Sequence, residues 1–306
     1  MDLGSILHTI FNFEDYGELF VLVQNSIWAG AVLGVLGGLV GTFVMKRDLA
    51  FAVHGISELS FAGAAFALLI GADIIFGSLA GSVAAALLLG VMGVKARDKN
   101  SIIGVIMPFG LGLGILFLAL YQGRAANKFG LLTGQIVSVD TVQLQVLAGT
   151  AVVVMAALAA MWRPLNFASV DPEMAEARGV PVRRLGIAFM VLLGVSVALS
   201  IQIVGALLVL ALLITPAAAA LRVTTSPKLV VLLSVVFAVS ATVGGILLAL
   251  GSRIPISPYV TTLSFLIYIA CRVIGSMRAK RGINGRVVRP ATTDAEQAAE
   301  SQTVAI

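Results

Sequence analysis

The amino-acid sequence predicts an all-α polytopic membrane protein, with about nine transmembrane helices (eight at the fewest) and one short helix on the cytoplasmic side. Three observations carry that expectation. Of 306 residues, 59% are apolar and 11% charged, with a mean hydropathy of +1.05, which leaves too little polar surface for a water-soluble globule. Apolar stretches of the ~20 residues that a bilayer requires recur along the chain. The basic residues between them fall in alternate connections, the pattern that keeps positive loops in the cytoplasm.

The apolar stretches lie at residues 19–45, 50–72, 74–94, 101–121, 141–162, 185–221, 229–250 and 259–276. Residues 185–221 would form a helix of about 55 Å against a hydrocarbon core of about 30 Å, so this stretch is expected to turn near Ser200-Ile201-Gln202 and cross twice. Sixteen of the 20 Lys and Arg then share one side, in the loops 46–48, 95–100, 163–184 and 222–228 and in the tail, with Arg272 near that end of the last stretch and Arg124, Lys128 and Arg253 on the other side. The first basic residue is Lys46, and Asp2, Glu14, Asp15 and Glu18 make the start acidic, so the basic region of a cleavable signal is missing and the first span is expected to stay. The organisation is thus an external or interfacial segment 1–18, a transmembrane domain 19–276, and a polar cytoplasmic tail 277–306 that begins with lipid-facing basic residues.

Within the spans, Gly30, Gly34 and Gly38 recur every fourth residue, with Gly37 and Gly41 offset from them. One helix therefore presents two glycine rows for close helix contacts. Gly110, Gly112 and Gly114 follow Pro108, a combination expected to bend the fourth span. The lone cysteine, Cys271, lies in the last span and excludes a disulfide framework or a Cys-x-x-Cys site.

His54 and Glu58 are the ionisable side chains of residues 50–72. Near a bilayer centre such a group costs roughly 2.5–3.5 kcal/mol on insertion scales, so it faces a partner, a cavity or a cargo. Four residues apart on a helix, the two project from one face. An imidazole nitrogen beside a carboxylate oxygen suits zinc, manganese or iron, and an internal hydrogen-bonded or proton-linked pair is the alternative.

The segment 163–184 carries the start and stop signals of a short helix. Asp171 suits an N-cap and Pro172 the first helical position; Glu173 and Glu176 lie toward the positive end. Gly179 suits a left-handed cap, and Pro181 blocks continuation. It reads as a capped connector or, standing before the longest apolar stretch, as a docking helix.

At these residues the chain resembles the permease subunits of bacterial ABC-type zinc/manganese/iron importers, over roughly residues 19–276. The segment Asp171, Pro172, Glu173, Ala175, Gly179, Val180, Pro181 is similar to the family's Asp-Pro-Glu-x-Ala-x-x-x-Gly-Val-Pro loop. Further matches are Val204-Gly205-Ala206-Leu207-Leu208 running into Leu213-Ile214-Thr215-Pro216-Ala217, the Lys46-Arg47-Asp48-Leu49 turn, and Ile256-Ser257-Pro258. Where most members carry Asp-x-x-x-His in the second span, this chain has His54-Gly55-Ile56-Ser57-Glu58: the ligand types persist in reversed order. The resemblance implies a multi-pass subunit of the bacterial plasma membrane with its C-terminus cytoplasmic, whose coupling helix at 171–181 contacts a separate ATP-binding subunit. It also implies delivery of zinc, manganese or iron by an extracytoplasmic metal-binding protein. One coupling helix per chain, with two ATPases to engage, implies a homodimer.

Other functions are weighed against the residues present. No G-x-x-x-x-G-K-[ST] phosphate loop, H-E-x-x-H pair or G-x-S-x-G elbow occurs, so a transport subunit rather than an enzyme is expected, with ATP hydrolysis on a partner chain. The net charge of +5 is scattered over loops and does not form a nucleic-acid face. A permease for a metal chelate such as a siderophore, haem or cobalamin, and a membrane metalloenzyme or metal sensor, are the alternatives. Asp73 and Asp140, at external span ends, are solvated loop carboxylates or cation-attracting entrance residues. Gln202 is a turn or a gate residue, and His8 reads as an interfacial histidine.

Overall fold

The computed structural model describes residues 16–93, 99–123, 139–206, 208–250 and 255–280. Among them the chain forms twelve helices: α1 (Tyr16–Leu22), α2 (Gln24–Lys46), α3 (Ala50–Ile70), α4 (Ile74–Gly93), α5 (Lys99–Leu120), α6 (Thr141–Val170), α7 (Pro172–Ala177), α8 (Val182–Val204), α9 (Val209–Leu213), α10 (Thr215–Val223), α11 (Pro227–Ala249) and α12 (Ile256–Lys280). Eight of these (α2 to α6, α8, α11 and α12) are long and apolar enough to cross a membrane. Residues 1–15 and 281–306, which hold His8, most of the acidic start and most of the basic tail, lie outside the described residues.

Glycine placement sets the packing. The two rows on α2 meet two different neighbours: Gly30, Gly34 and Gly38 abut Ile246, Val239 and Val235 of α11, while Gly37 and Gly41 abut Leu212 and Leu213 at α9. Where the backbones approach, hydroxyls bridge them. Ser234 donates to the Gly38 carbonyl at 2.9 Å and Thr242 to the Gly30 carbonyl at 2.9 Å. With no hydrophobic force between helices in lipid, this combination of small residues and interhelical hydrogen bonds is what holds spans together. Gly63 and Gly77 make the same kind of contact between α3 and α4, where Ser60 also donates to the Ser78 carbonyl at 2.9 Å.

The stretch 185–221 does divide, at a different residue from the one expected. α8 runs unbroken through Ser200, Ile201 and Gln202, because Ser200 donates its hydroxyl to the Ser196 carbonyl one turn back and Ile201 is buried. The break falls at Gly205, with φ 81° and ψ 160°, a backbone conformation that a β-carbon all but forbids. α8 runs against α2, with Phe189 beside Phe43 and Gly186 beside Arg47. The chain beyond Gly205 runs along α2, with Leu212 beside Gly37 and Ala217 beside Gly41. It also keeps register with α12, since Ser257, Ser264 and Arg278 donate to the carbonyls of Val204, Ala211 and Val223. Residues 182–223 thus make two antiparallel passes, the second built from the short helices α9 and α10.

A second difference concerns α6, which continues eight residues past the apolar stretch, through Arg163 and Pro164 to Val170. Leu165 and Ala168 keep its inner face buried, the Trp162 ring stands edge-on to Phe43 at 4.8 Å, and Lys46 donates to the Asn166 side chain at 3.0 Å. The connector between spans therefore shortens to residues 171–181. Pro108 sits inside α5, which runs through it without interruption.

Candidate functional site

His54 and Glu58 stand on one face of α3, as their spacing requires, with 3.8 Å between Nδ1 and Oε1. That is too long for a hydrogen bond. The His54 Nδ1 is buried without a hydrogen-bond partner, the Glu58 side chain is 12% exposed, and the His54 ring is open to 34%. Two ligand atoms bound at about 2.1 Å to one ion stand at most ~4.2 Å apart, so both can reach a single divalent ion where they are. Among the described residues no third His, Cys, Asp or Glu joins them. One chain therefore offers two donors, fewer than a closed metal site takes.

Neighbouring backbones hold this turn. Gly110 of α5 lies against the main chain of Glu58 and Leu59, where a β-carbon would stand 3.1 Å away, and Gly114 lies against the Phe61 ring, which a β-carbon would overlap. These glycines serve close approach, which their four-residue spacing opposite His54–Glu58 could have signalled. Gly112, between them, faces open space. From the other side the buried Ser57 donates its hydroxyl to the Ala206 carbonyl, at 3.3 Å, just past the Gly205 break. Sequence reading assigned nothing to Ser57.

Asp73 and Asp140 act as helix caps. The Asp73 carboxylate accepts from the Ile75 amide at 2.7 Å, and Asp140 forms a reciprocal capping box with Gln143 at the start of α6. Both are exposed and lie outside the His54–Glu58 turn. Gln202 lies inside α8, not at a turn.

The short helix forms as its caps direct. The Asp171 carboxylate accepts from the Met174 amide at 2.9 Å, Pro172 opens α7, and Gly179 takes φ 80°. The Gly179 amide bonds the Glu176 carbonyl and the Val180 amide the Ala175 carbonyl, which closes the C-terminus in a Schellman motif. Ala175 is 0% exposed, so it anchors α7 to the core and is not part of an outward surface. The outward face is made by Glu173, Met174 (48% exposed), Glu176 and Arg178. At the α2–α3 turn, Arg47 reaches over the Phe189 ring at 5.7 Å, and its burial lowers the guanidinium's pKa from its ordinary value. An apolar cavity of about 320 Å³ opens between α3, α4 and α5, lined by Leu59, Phe66, Leu88 and Phe117 among others; neither His54 nor Glu58 lines it.

The sequence profile of the ABC 3 transport family matches residues 20–275. The chain belongs to this family. Among curated relatives, it is 30% identical over 225 residues to the manganese transport system membrane protein MntC of Halalkalibacterium halodurans, covering 73% of this chain and 77% of that one. It is 23% identical over 256 residues to the high-affinity zinc uptake system membrane protein ZnuB of Haemophilus influenzae, covering 82% and 97%. Among solved structures, PsaBC from Streptococcus pneumoniae in complex with Fab superposes with a TM-score of 0.77 at 22% identity, over 88% of this chain and 99% of that chain, and so shares the fold. As a member of the ABC 3 transport family, the chain is a multi-pass transport subunit.

Proposed function

We propose that this chain is the membrane permease of an ATP-driven importer for a divalent transition metal, manganese or zinc before iron. It works as a homodimer with a separate ATPase and an extracytoplasmic metal-binding protein. The observation that carries the reading is the His54–Glu58 pair: two metal-ligating atoms 3.8 Å apart, unbonded to each other, inside a span of an ABC 3 family member. The separation is that of a long ion pair when the imidazole is protonated, and the same spacing lets the two atoms share one ion. Two copies facing each other supply two imidazoles and two carboxylates. That set replaces part of the ion's hydration while leaving it exchangeable, as conduction requires. Nothing of the kind suits a chelate, whose bulk calls for a large cavity without facing ligands.

The basic connections, including 163–184 and 222–228, lie in the cytoplasm on this reading, and the C-terminus with them. The outward face of α7, with Glu173 and Met174, engages the ATPase, on which hydrolysis takes place. Closure of the two ATPases moves α7 and the helix it leads into, α8, and the ion site opens alternately to the two sides.

The test is a metal-uptake profile in a strain deleted for the permease, restored by this chain together with its ATPase and binding protein. Selective recovery of manganese or zinc uptake is expected. Recovery of siderophore, haem or cobalamin uptake instead would overturn the reading.

A further inference from the structure

We infer that Ser57 is a positioning residue: its hydrogen bond to the Ala206 carbonyl ties the His54–Glu58 turn to the Gly205 break, so that movement of α8 reaches the metal ligands. The inference rests on the reading of His54 and Glu58 as transported-metal ligands.

Three features of the structure converge on this bond. α8 is an uninterrupted 23-residue helix, about 35 Å long at 1.5 Å per residue, and it begins at Val182, directly after the Schellman motif that ends the α7 loop. At its near end it is therefore fixed to the segment proposed to meet the ATPase. At its far end the ladder stops. The Gly205 amide still bonds the Ile201 carbonyl, but the Leu208 amide turns to the Gly205 carbonyl, which leaves the Val204 carbonyl without its helical donor. Ser257 of α12 supplies that donor at 3.5 Å, and Ser57 serves the Ala206 carbonyl at 3.3 Å. The break is thus held between α12 on one side and the metal-ligating turn on the other.

Ser57 sits between the two ligands, three residues after His54 and one before Glu58, and is 0% exposed. Any shift of the Ala206 carbonyl that keeps the bond shifts the backbone carrying both ligand side chains. A coupling path requires a hinge that both sites bias, and the proposal places that hinge at Gly205 with this bond as its link to the turn. Gly205 permits the hinge because its φ of 81° is open to glycine.

The experiment compares Ser57→Ala with Ser234→Ala in the complex with its ATPase and binding protein, reconstituted in proteoliposomes. Ser234 also donates a buried hydroxyl to a carbonyl of another helix, Gly38, at 2.9 Å, but carries no link to the ligands. Removing either hydroxyl costs one comparable hydrogen bond, so the structural effect is matched. Mn2+ uptake and ATP hydrolysis are read together, and the ratio of ions moved to ATP hydrolysed is the readout that a purely structural role leaves unchanged. Ser57→Ala is expected to lower that ratio roughly fivefold, the weight of one neutral hydrogen bond, with Mn2+ binding retained. Ser234→Ala should hold the wild-type ratio, and Ser57→Thr, which keeps a hydroxyl, should recover part of it. A wild-type ratio in Ser57→Ala, or an equal drop in both alanine variants, overturns the inference. His54→Ala in the same preparation separates the two readings. If it binds and carries Mn2+ normally, the ligand assignment falls and this inference with it; if it is inactive while Ser57→Ala is fully coupled, only the inference falls.

Discussion

Gly41 of α2 lies flat against the carbonyl of Leu213, so close that a β-carbon at 41 would overlap the oxygen. The contact seats the second pass of residues 182–223 on α2. Gly41→Ala forces the backbones apart, and overpacking of this kind costs about 1–3 kcal/mol. Gly41→Ala should lower the melting temperature of the purified permease and Gly41→Val should abolish its accumulation in membranes. Gly112→Ala, where nothing lies within 4 Å, should match the wild type. Equal stability of the 41 and 112 variants in a thermal-shift measurement would contradict this packing.

The outward and inward faces of α7 make opposite predictions. Glu173→Lys changes an exposed charge and leaves burial alone, so the protein should insert and purify normally while ATPase co-purification and metal uptake fall together. Ala175→Leu places a large side chain at a fully buried position and should lose stability first. Asp171→Ala removes the cap on Met174 and should cost about 1 kcal/mol of local stability. Normal ATPase association in Glu173→Lys, at normal protein level, would count against docking through this face.

Topology can be read by cysteine labelling in a Cys271-substituted background. Cysteines at 73 and 140, both exposed at helix starts, should react with an impermeant reagent from outside, and those at 176 and 225 only after the membrane is opened. If positions 176 and 225 fall on opposite sides, residues 182–223 do not cross twice.

How much of this was legible in the sequence depends on whether local pattern or tertiary contact decides each feature. The glycine rows of α2 were readable, because helical spacing alone separates Gly30, Gly34 and Gly38 from Gly37 and Gly41, and each row found its own neighbour. The α7 caps were readable for the same reason: Asp171, Pro172 and Gly179 act within a few residues of themselves. The break in 185–221 was foreseen but assigned to the polar residues Ser200 and Gln202. A serine in a helix can satisfy itself on the preceding turn, as Ser200 does, whereas Gly205, the one glycine between Gly194 and Gly244, was the stronger signal. The extension of α6 past Arg163 rests on Leu165 and Ala168 meeting other helices, and no hydropathy window reports that. The site divides likewise. His54 and Glu58 share a face by periodicity, but the bond from Ser57 to Ala206 joins residues 149 positions apart and has no local signature.

The final prediction concerns His54 and Glu58, the proposed ligands. His54→Ala and Glu58→Ala should each abolish metal uptake without lowering protein level, because ligand loss removes the cargo's stabilisation while alanine inserts readily into lipid. The 3.8 Å separation sharpens this expectation: with no hydrogen bond between the two, His54→Ala removes only a long ion pair from Glu58, and the melting temperature should stay near that of the wild type. A hydrogen-bonded structural pair would instead lose stability on deletion of either member. The double variant His54→Asp with Glu58→His restores the order common in the family and should retain part of the transport with a changed metal preference, since exchanging imidazole and carboxylate alters the coordination geometry. Uptake of Mn2+ and Zn2+ at limiting concentration, measured beside membrane protein level and thermal stability, separates the outcomes. Full uptake by either alanine variant at normal expression would exclude an essential ion site on this turn of α3.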